Sequence, residues 1–194
     1  MNKLFDSSGY IKINEFVDQR TIQTISKYLE NKIRRGEWEP RLKSKEDASQ
    51  YGYYADPLVE VILEEFKPLV EQHTGLSLEP SYSFSRVYQG GEELIPHTDR
   101  PSCEISVTIN VACKGDIWPL WVQYKDHDPV KLMLNPGDAV IYKGCETTHW
   151  RRELPKSCIN VQFMLHYVIK DGQNAAYKFD QRSSLGLASS ARRN

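Results

Sequence analysis

Hydrophobic positions in this chain change their period about a third of the way along. In the first part, Ile22, Ile25, Leu29 and Ile33 recur at three- and four-residue steps and predict an amphipathic helix over about 15–35. Leu58, Val61, Ile62, Phe66 and Leu69 predict a second helix over about 57–73. Farther on, the period falls to two. Glu104-Ile-Ser-Val-Thr-Ile-Asn-Val111 and Cys158-Ile-Asn-Val-Gln-Phe-Met-Leu-His-Tyr167 alternate apolar and polar residues, the pattern of strands with one aliphatic face. Their other faces carry Ser106, Thr108 and Asn110, and Asn160, Gln162 and His166. Arg86-Val-Tyr88-Gln-Gly90-Gly91 reads as a strand running into a glycine turn, and Gly137-Asp-Ala-Val-Ile-Tyr-Lys-Gly144 as another strand. The helices are expected to pad the outside of one sheet.

Pro136-Gly137-Asp138 predicts a turn, and Gly172 marks the exit from the last strand. Residues 40–55 are charged and tyrosine-bearing without a clear period, which fits either a plain loop or a substrate-facing lid. Past Lys178 the chain turns rich in Ser, Arg and Gly, so a loosely ordered tail is expected from about 181 to 194. With 194 residues and 40% hydrophobic content, a single domain spanning 1–194 has enough apolar material for one core. Within it, helical support covers about 14–75 and the β core about 79–170. A net charge of −1 gives no electrostatic case for a nucleic-acid partner. No apolar run approaches membrane-spanning length, and MNKLFDSSGY lacks the apolar stretch of a signal peptide, so no membrane partner and a cytoplasmic location are expected. Cys103, Cys113, Cys145 and Cys158 form no C-x-x-C pair and read as free thiols of a reducing compartment.

The chemistry concentrates at His97, Asp99 and His149. Residues i and i+2 of an extended segment point to one side, so His97 and Asp99 can grip one metal from one stretch of backbone. His149 follows the Gly137–Gly144 strand and suits a sheet that returns opposite the first pair. Two imidazoles and one carboxylate on one face leave open positions on the other, as a non-haem Fe(II) oxygenase needs. With five histidines in the chain, H-x-D by itself is weak evidence for a metal. The polar strand faces beside it strengthen the reading, because they can line a lumen that holds a charged ligand.

With these residues assembled, the chain resembles the 2-oxoglutarate/Fe(II)-dependent oxygenases, in their prolyl 4-hydroxylase-like branch. The resemblance runs from R-V-Y-Q-G-G-E-E-L-I-P-H-T-D-R through G-D-A-V-I-Y-K-G-C-E-T-T-H-W-R-R to F-M-L-H-Y, roughly residues 80–170. It implies a mainly β fold with flanking helices, a double-stranded β-helix (jelly-roll, cupin-like) with the N-terminal helices packed on one sheet. It also implies Fe(II) held by His97, Asp99 and His149, which are then the catalytic group, with 2-oxoglutarate and O2 as cosubstrates and ascorbate as a candidate reductant. The implied reaction hydroxylates an unactivated C–H bond while 2-oxoglutarate becomes succinate and CO2. Relatives that halogenate lack the carboxylate supplied here by Asp99, which favours hydroxylation.

Tyr88 matches the family tyrosine that hydrogen-bonds 2-oxoglutarate. The basic residue for its distal carboxylate is a departure. Many relatives carry Arg or Lys nine to eleven residues after the distal histidine, where this chain has Cys158, Ile159 and Asn160. A buried carboxylate needs a cation, preferably a two-pronged guanidinium. Arg86, on the strand face of Tyr88, and Arg151, two residues past His149, are the candidates, with Lys156 and Arg100 weaker. His73 and His127 read as surface groups, Trp118, Trp121 and Tyr124 as core aromatics or a substrate mouth, and Trp150 as a restriction beside the metal. The expected substrate is a prolyl or other side chain of a peptide or protein. A free amino acid or small metabolite, and a non-catalytic cupin-like binding module, remain open.

Overall fold

The computed structural model describes residues 2–37 and 51–187. Two helices predicted from periodicity form with defined caps. Helix α2 (Gln19–Arg34) starts at Asp18, whose carboxylate accepts the Thr21 amide at 3.0 Å, and buries Ile22, Ile25 and Leu29. Helix α3 (Pro57–Thr74) starts at Asp56, with proline in its first turn, and stops at Gly75, which takes a left-handed φ of 68°. Asp56 also receives the Tyr28 hydroxyl at 2.9 Å and Lys32 at 2.5 Å, so the cap of α3 ties it to α2.

The apolar stripes are narrower than periodicity predicts. Ile33 on α2 is 46% exposed and Val61 on α3 53% exposed, while α3 buries Val59, Leu63 and Val70 beside the expected Ile62. Short elements escaped prediction. Helix α1 (Lys3–Ser8) and strand β1 (Tyr10–Ile13) precede α2, and strand β2 (Tyr51–Tyr54) occupies the end of the stretch expected as a loop. Residues 40–50 of that stretch lie outside the described residues.

The remaining strands are β3 (Leu78–Gln89), β4 (Leu94–His97), β5 (Ile105–Lys114), β6 (Leu120–Tyr124), β7 (Val130–Leu132), β8 (Ala139–Lys143), β9 (Thr147–Arg151) and β10 (Ile159–Ile169). They form two antiparallel sheets, one ordered β1-β8-β5-β10-β3-β2 and the other β4-β9-β6-β7. Ile105, Val107 and Ile109 of β5, and Phe163, Leu165 and Tyr167 of β10, pack with the apolar faces of α2 and α3 in the main core. The other faces of these strands turn toward the smaller sheet, where Leu120, Val122, Leu132, Leu134, Val140 and Tyr142 close one part of the space. This is a double-stranded β-helix, with helices on the outside of the larger sheet.

Past β10, residues 182–187 include two contacts to Glu60, from Arg182 and from the Gly186 amide. Arg182, 4% exposed at its side chain, pairs with the buried Glu60 at 2.5 Å. Residues 188–194 of the expected tail lie outside the described residues. Among the described residues, no helix is long and apolar enough to cross a membrane.

Candidate metal centre

His97 and His149 are direct partners across the β4–β9 pair, so the ladder sets their rings side by side, with centroids 4.3 Å apart. Strand β4 ends at His97, and Asp99 is placed by a loop contact. Its amide donates to the Gly144 carbonyl at 2.8 Å. A Cβ at Gly144 would run into the Cys103 carbonyl and Asp99 Oδ2, so only glycine lets the two segments approach this closely. Asp99 Oδ1 then stands 3.8 Å from His97 Nε2 and 3.6 Å from His149 Nε2.

The donor set suits a metal ion. His97 Nδ1 lies 2.8 Å from the Ile95 carbonyl and His149 Nδ1 lies 3.0 Å from the Thr147 carbonyl. Each carbonyl accepts the Nδ1 hydrogen, which leaves the Nε2 lone pairs aimed at one point beside Asp99 Oδ1. Burial holds His149 below the usual histidine range, so its ring is neutral and able to coordinate. His97 and Asp99 are partly exposed, with side-chain exposures of 23% and 14%, so the constellation opens to solvent on that side.

The polar faces of β5 and β10 meet behind Asp99. Ser106 Oγ donates to Asp99 Oδ2 at 2.7 Å and lies 3.0 Å from His166 Nδ1. Ser106 has one hydrogen, directed to Asp99, so Nδ1–H of a neutral His166 donates to Ser106. Ser106 and His166 lay on strand faces recognised as polar, but only their pairing across β5 and β10 brings them together. A second group able to bind a metal, Asp99, Cys103 and His166, shares the same carboxylate. Burial pushes the Cys103 thiol well above its usual range, which disfavours the thiolate that coordination needs.

Arg86, Tyr88 and Arg151 come together in one corner of the lumen. Arg86 Nη1 donates to the Tyr88 hydroxyl at 3.1 Å, the Tyr88 and Trp118 rings stand 4.9 Å apart, and the Arg151 guanidinium lies 4.8 Å from the Trp118 ring. Arg151 is 2% exposed. Its Nη1 donates to the Trp118 carbonyl, while Nε and Nη2 have no hydrogen-bond partner among the described residues. Burial without a carboxylate partner pushes its pKa down to about 10. Lys156 and Arg152 are exposed, the latter over the Trp121 ring, and Arg100 is paired with Asp180. Trp118 is buried beside Tyr88, whereas Trp121 and Trp150 stack half-buried 6.0 Å apart.

No family model and no curated protein matches the chain. Solved structures do. A prolyl-4-hydroxylase from Pseudomonas putida superposes with a TM-score of 0.70 at 14% identity, over 86% of this chain and 95% of that one. A prolyl hydroxylase from Trichoplax adhaerens, in complex with a hypoxia inducible factor peptide fragment, gives 0.69 at 14% identity, over 89% and 88%. HygX from Streptomyces hygroscopicus, with nickel, 2-oxoglutarate and hygromycin B bound, gives 0.66 at 10% identity, over 86% and 85%. The fold is that of the 2-oxoglutarate/Fe(II) oxygenases. His149 and Arg151 stand two residues apart on β9, so both side chains project from one face of that strand, and both are buried.

Proposed function

We propose that this protein is a 2-oxoglutarate- and Fe(II)-dependent dioxygenase that hydroxylates an unactivated C–H bond. The observation that carries the reading is Arg151, a buried guanidinium with no acidic partner among the described residues, in the lumen that also holds two imidazoles and a carboxylate. A buried cation of this kind calls for an anion. Two residues along a strand span about 7 Å, a distance suited to a five-carbon dicarboxylate reaching from the metal site to the guanidinium.

In this reading His97, Asp99 and His149 hold Fe(II), which when bound supplies the oxidising chemistry with O2 and 2-oxoglutarate. The Ile95 and Thr147 carbonyls fix the two rings so that Nε2 faces the ion. Ser106 turns Asp99 so that Oδ1 does the same. Arg151 takes the distal carboxylate, and Tyr88 with Arg86 offers further hydrogen bonds in the same corner. Tyr88 and Trp118 wall this corner and exclude water from it.

The first reading of the substrate is a prolyl or other side chain of a peptide or protein, supported by likeness to structures described as prolyl hydroxylases, one of them bound to a peptide. A second reading, a free amino acid or small metabolite, is favoured by Arg100, a cation directly after Asp99. The test is succinate formation from 2-oxoglutarate with Fe(II), O2 and ascorbate, followed by a screen of peptides and free amino acids for gain of one oxygen atom. A module that binds 2-oxoglutarate without ever consuming it would overturn the enzymatic reading.

A further inference from the structure

Asp180 holds the guanidinium of Arg100 in two-pronged geometry, with Nη1–Oδ1 at 2.7 Å and Nη2–Oδ2 at 2.9 Å, and accepts the Tyr54 hydroxyl at 2.5 Å. Three donors on one carboxylate make a recognition site for that group. The site sits at the metal's rim. Arg100 follows Asp99 in sequence and lies 4.7 Å from the Tyr82 ring, which contacts His166 at 4.5 Å, and His166 reaches Asp99 through Ser106.

The segment that delivers Asp180 is bent against its own sterics. Phe179, Asp180 and Gln181 take φ values of 55°, 53° and 62°, three successive non-glycine residues in the left-handed region. Both flanks also have contacts outside the arch. Tyr177 accepts a hydrogen bond from Ser81 through its carbonyl, Lys178 pairs with Glu79 at 2.9 Å, and Arg182 pairs with the buried Glu60. Within the arch the Phe179 carbonyl also holds the tail, accepting Nε–H and the amide of Arg182 at 2.8 and 3.1 Å, but the Asp180 carboxylate takes no part in that fastening. The arch places that carboxylate on Arg100.

We propose that Arg100 and Tyr54 form the subsite for a carboxylate of the organic substrate, and that Asp180 fills it until substrate arrives. This inference rests on the oxygenase reading and deepens it. Displacing Asp180 frees the arch to leave its left-handed conformation, which offsets part of the cost of breaking the ion pair. The carboxylate can belong to a free amino acid or to the C-terminus of a peptide, and the chemistry of recognition is the same.

The test uses the full chain loaded with Zn(II) and 2-oxoglutarate under nitrogen, after both have been titrated by calorimetry. Probes are the twenty free amino acids and a set of Gly-Xaa dipeptides, each as acid and as primary amide, with binding read by saturation-transfer NMR. At least one acid should bind about tenfold or more tightly than its amide. Asp180→Asn should strengthen acid binding, Tyr54→Phe should weaken it, and Arg100→Gln should erase the difference between acid and amide. The two probe sets tell a free amino acid from a peptide terminus. Equal binding of acids and amides, no acid bound by either the natural protein or Asp180→Asn, or an acid preference that survives Arg100→Gln overturns the proposal. Failure of the metal or of 2-oxoglutarate to bind counts against the oxygenase reading instead, and an acid preference dependent on Arg100 would survive it.

Discussion

Ser106 Oγ stands 2.7 Å from Asp99 Oδ2 and so turns the other carboxylate oxygen, Oδ1, toward both imidazoles. Ser106→Ala leaves Oδ2 without this donor and frees the carboxylate to rotate. Metal affinity should fall about 10- to 100-fold, as expected when a partner of a ligand is removed. Titration with Co(II) or Fe(II) under nitrogen checks this, and Ser106→Thr, which keeps the hydroxyl, should restore most of the affinity.

The three proposed metal ligands have a sharper signature. His97→Ala and His149→Ala should each abolish succinate formation while circular dichroism stays close to that of the natural protein, because the sheets are held by aliphatic packing on their helix side. Asp99→Ala removes a charge but keeps both imidazoles, so residual metal binding is expected. Succinate formation by either histidine variant would refute the assignment.

Arg151 links function to stability. Without an anion, its buried charge is uncompensated, so Arg151→Met should make the ligand-free protein more stable by about 1–4 kcal/mol. In the natural protein, 2-oxoglutarate should raise the melting temperature by mass action, and in the variant this response should be lost. Arg151→Ala should raise the 2-oxoglutarate requirement about thirtyfold or more, corresponding to about 2 kcal/mol. Lysine should rescue poorly, since it lacks the planar fork.

His166 makes stability depend on pH. Burial pushes its pKa down to about 4, against a usual value of 6.5. An unfolded chain takes up the proton near pH 6.5, whereas the buried ring resists it until about pH 4. Its contribution is therefore complete above pH 6.5 and is lost as the pH falls toward 4, by up to roughly 3 kcal/mol. Denaturant unfolding of the natural protein and His166→Gln between pH 4 and 7 should show a shallower slope for the variant.

Glu60 and Arg182 form an ion pair with side-chain exposures of 2% and 4%. Glu60→Ala strands a buried guanidinium and should cost about 3–5 kcal/mol, read as a lower denaturation midpoint with little change of slope. An unaffected midpoint would mean that the tail is held by other contacts.

Local rules made much of this protein legible. The alternation in β5 and β10 follows from side chains pointing to opposite faces of a strand, and the two long helices from apolar residues at three- and four-residue steps, so neither depends on distant residues. The H-x-D spacing likewise puts two donors near one point before anything else folds. That Arg151 is buried without an acidic partner among the described residues was illegible, because the packing of the two sheets decides what surrounds it. The support of Asp99 by Ser106 and His166 depends on the register of β5 against β10, and a slip of β10 by one residue would turn His166 away from Ser106. Asp180 and Arg100 are far apart in sequence, and neither carries a motif. Only the arch at 179–181 brings them together, through a backbone conformation that no local propensity of Phe, Asp and Gln favours.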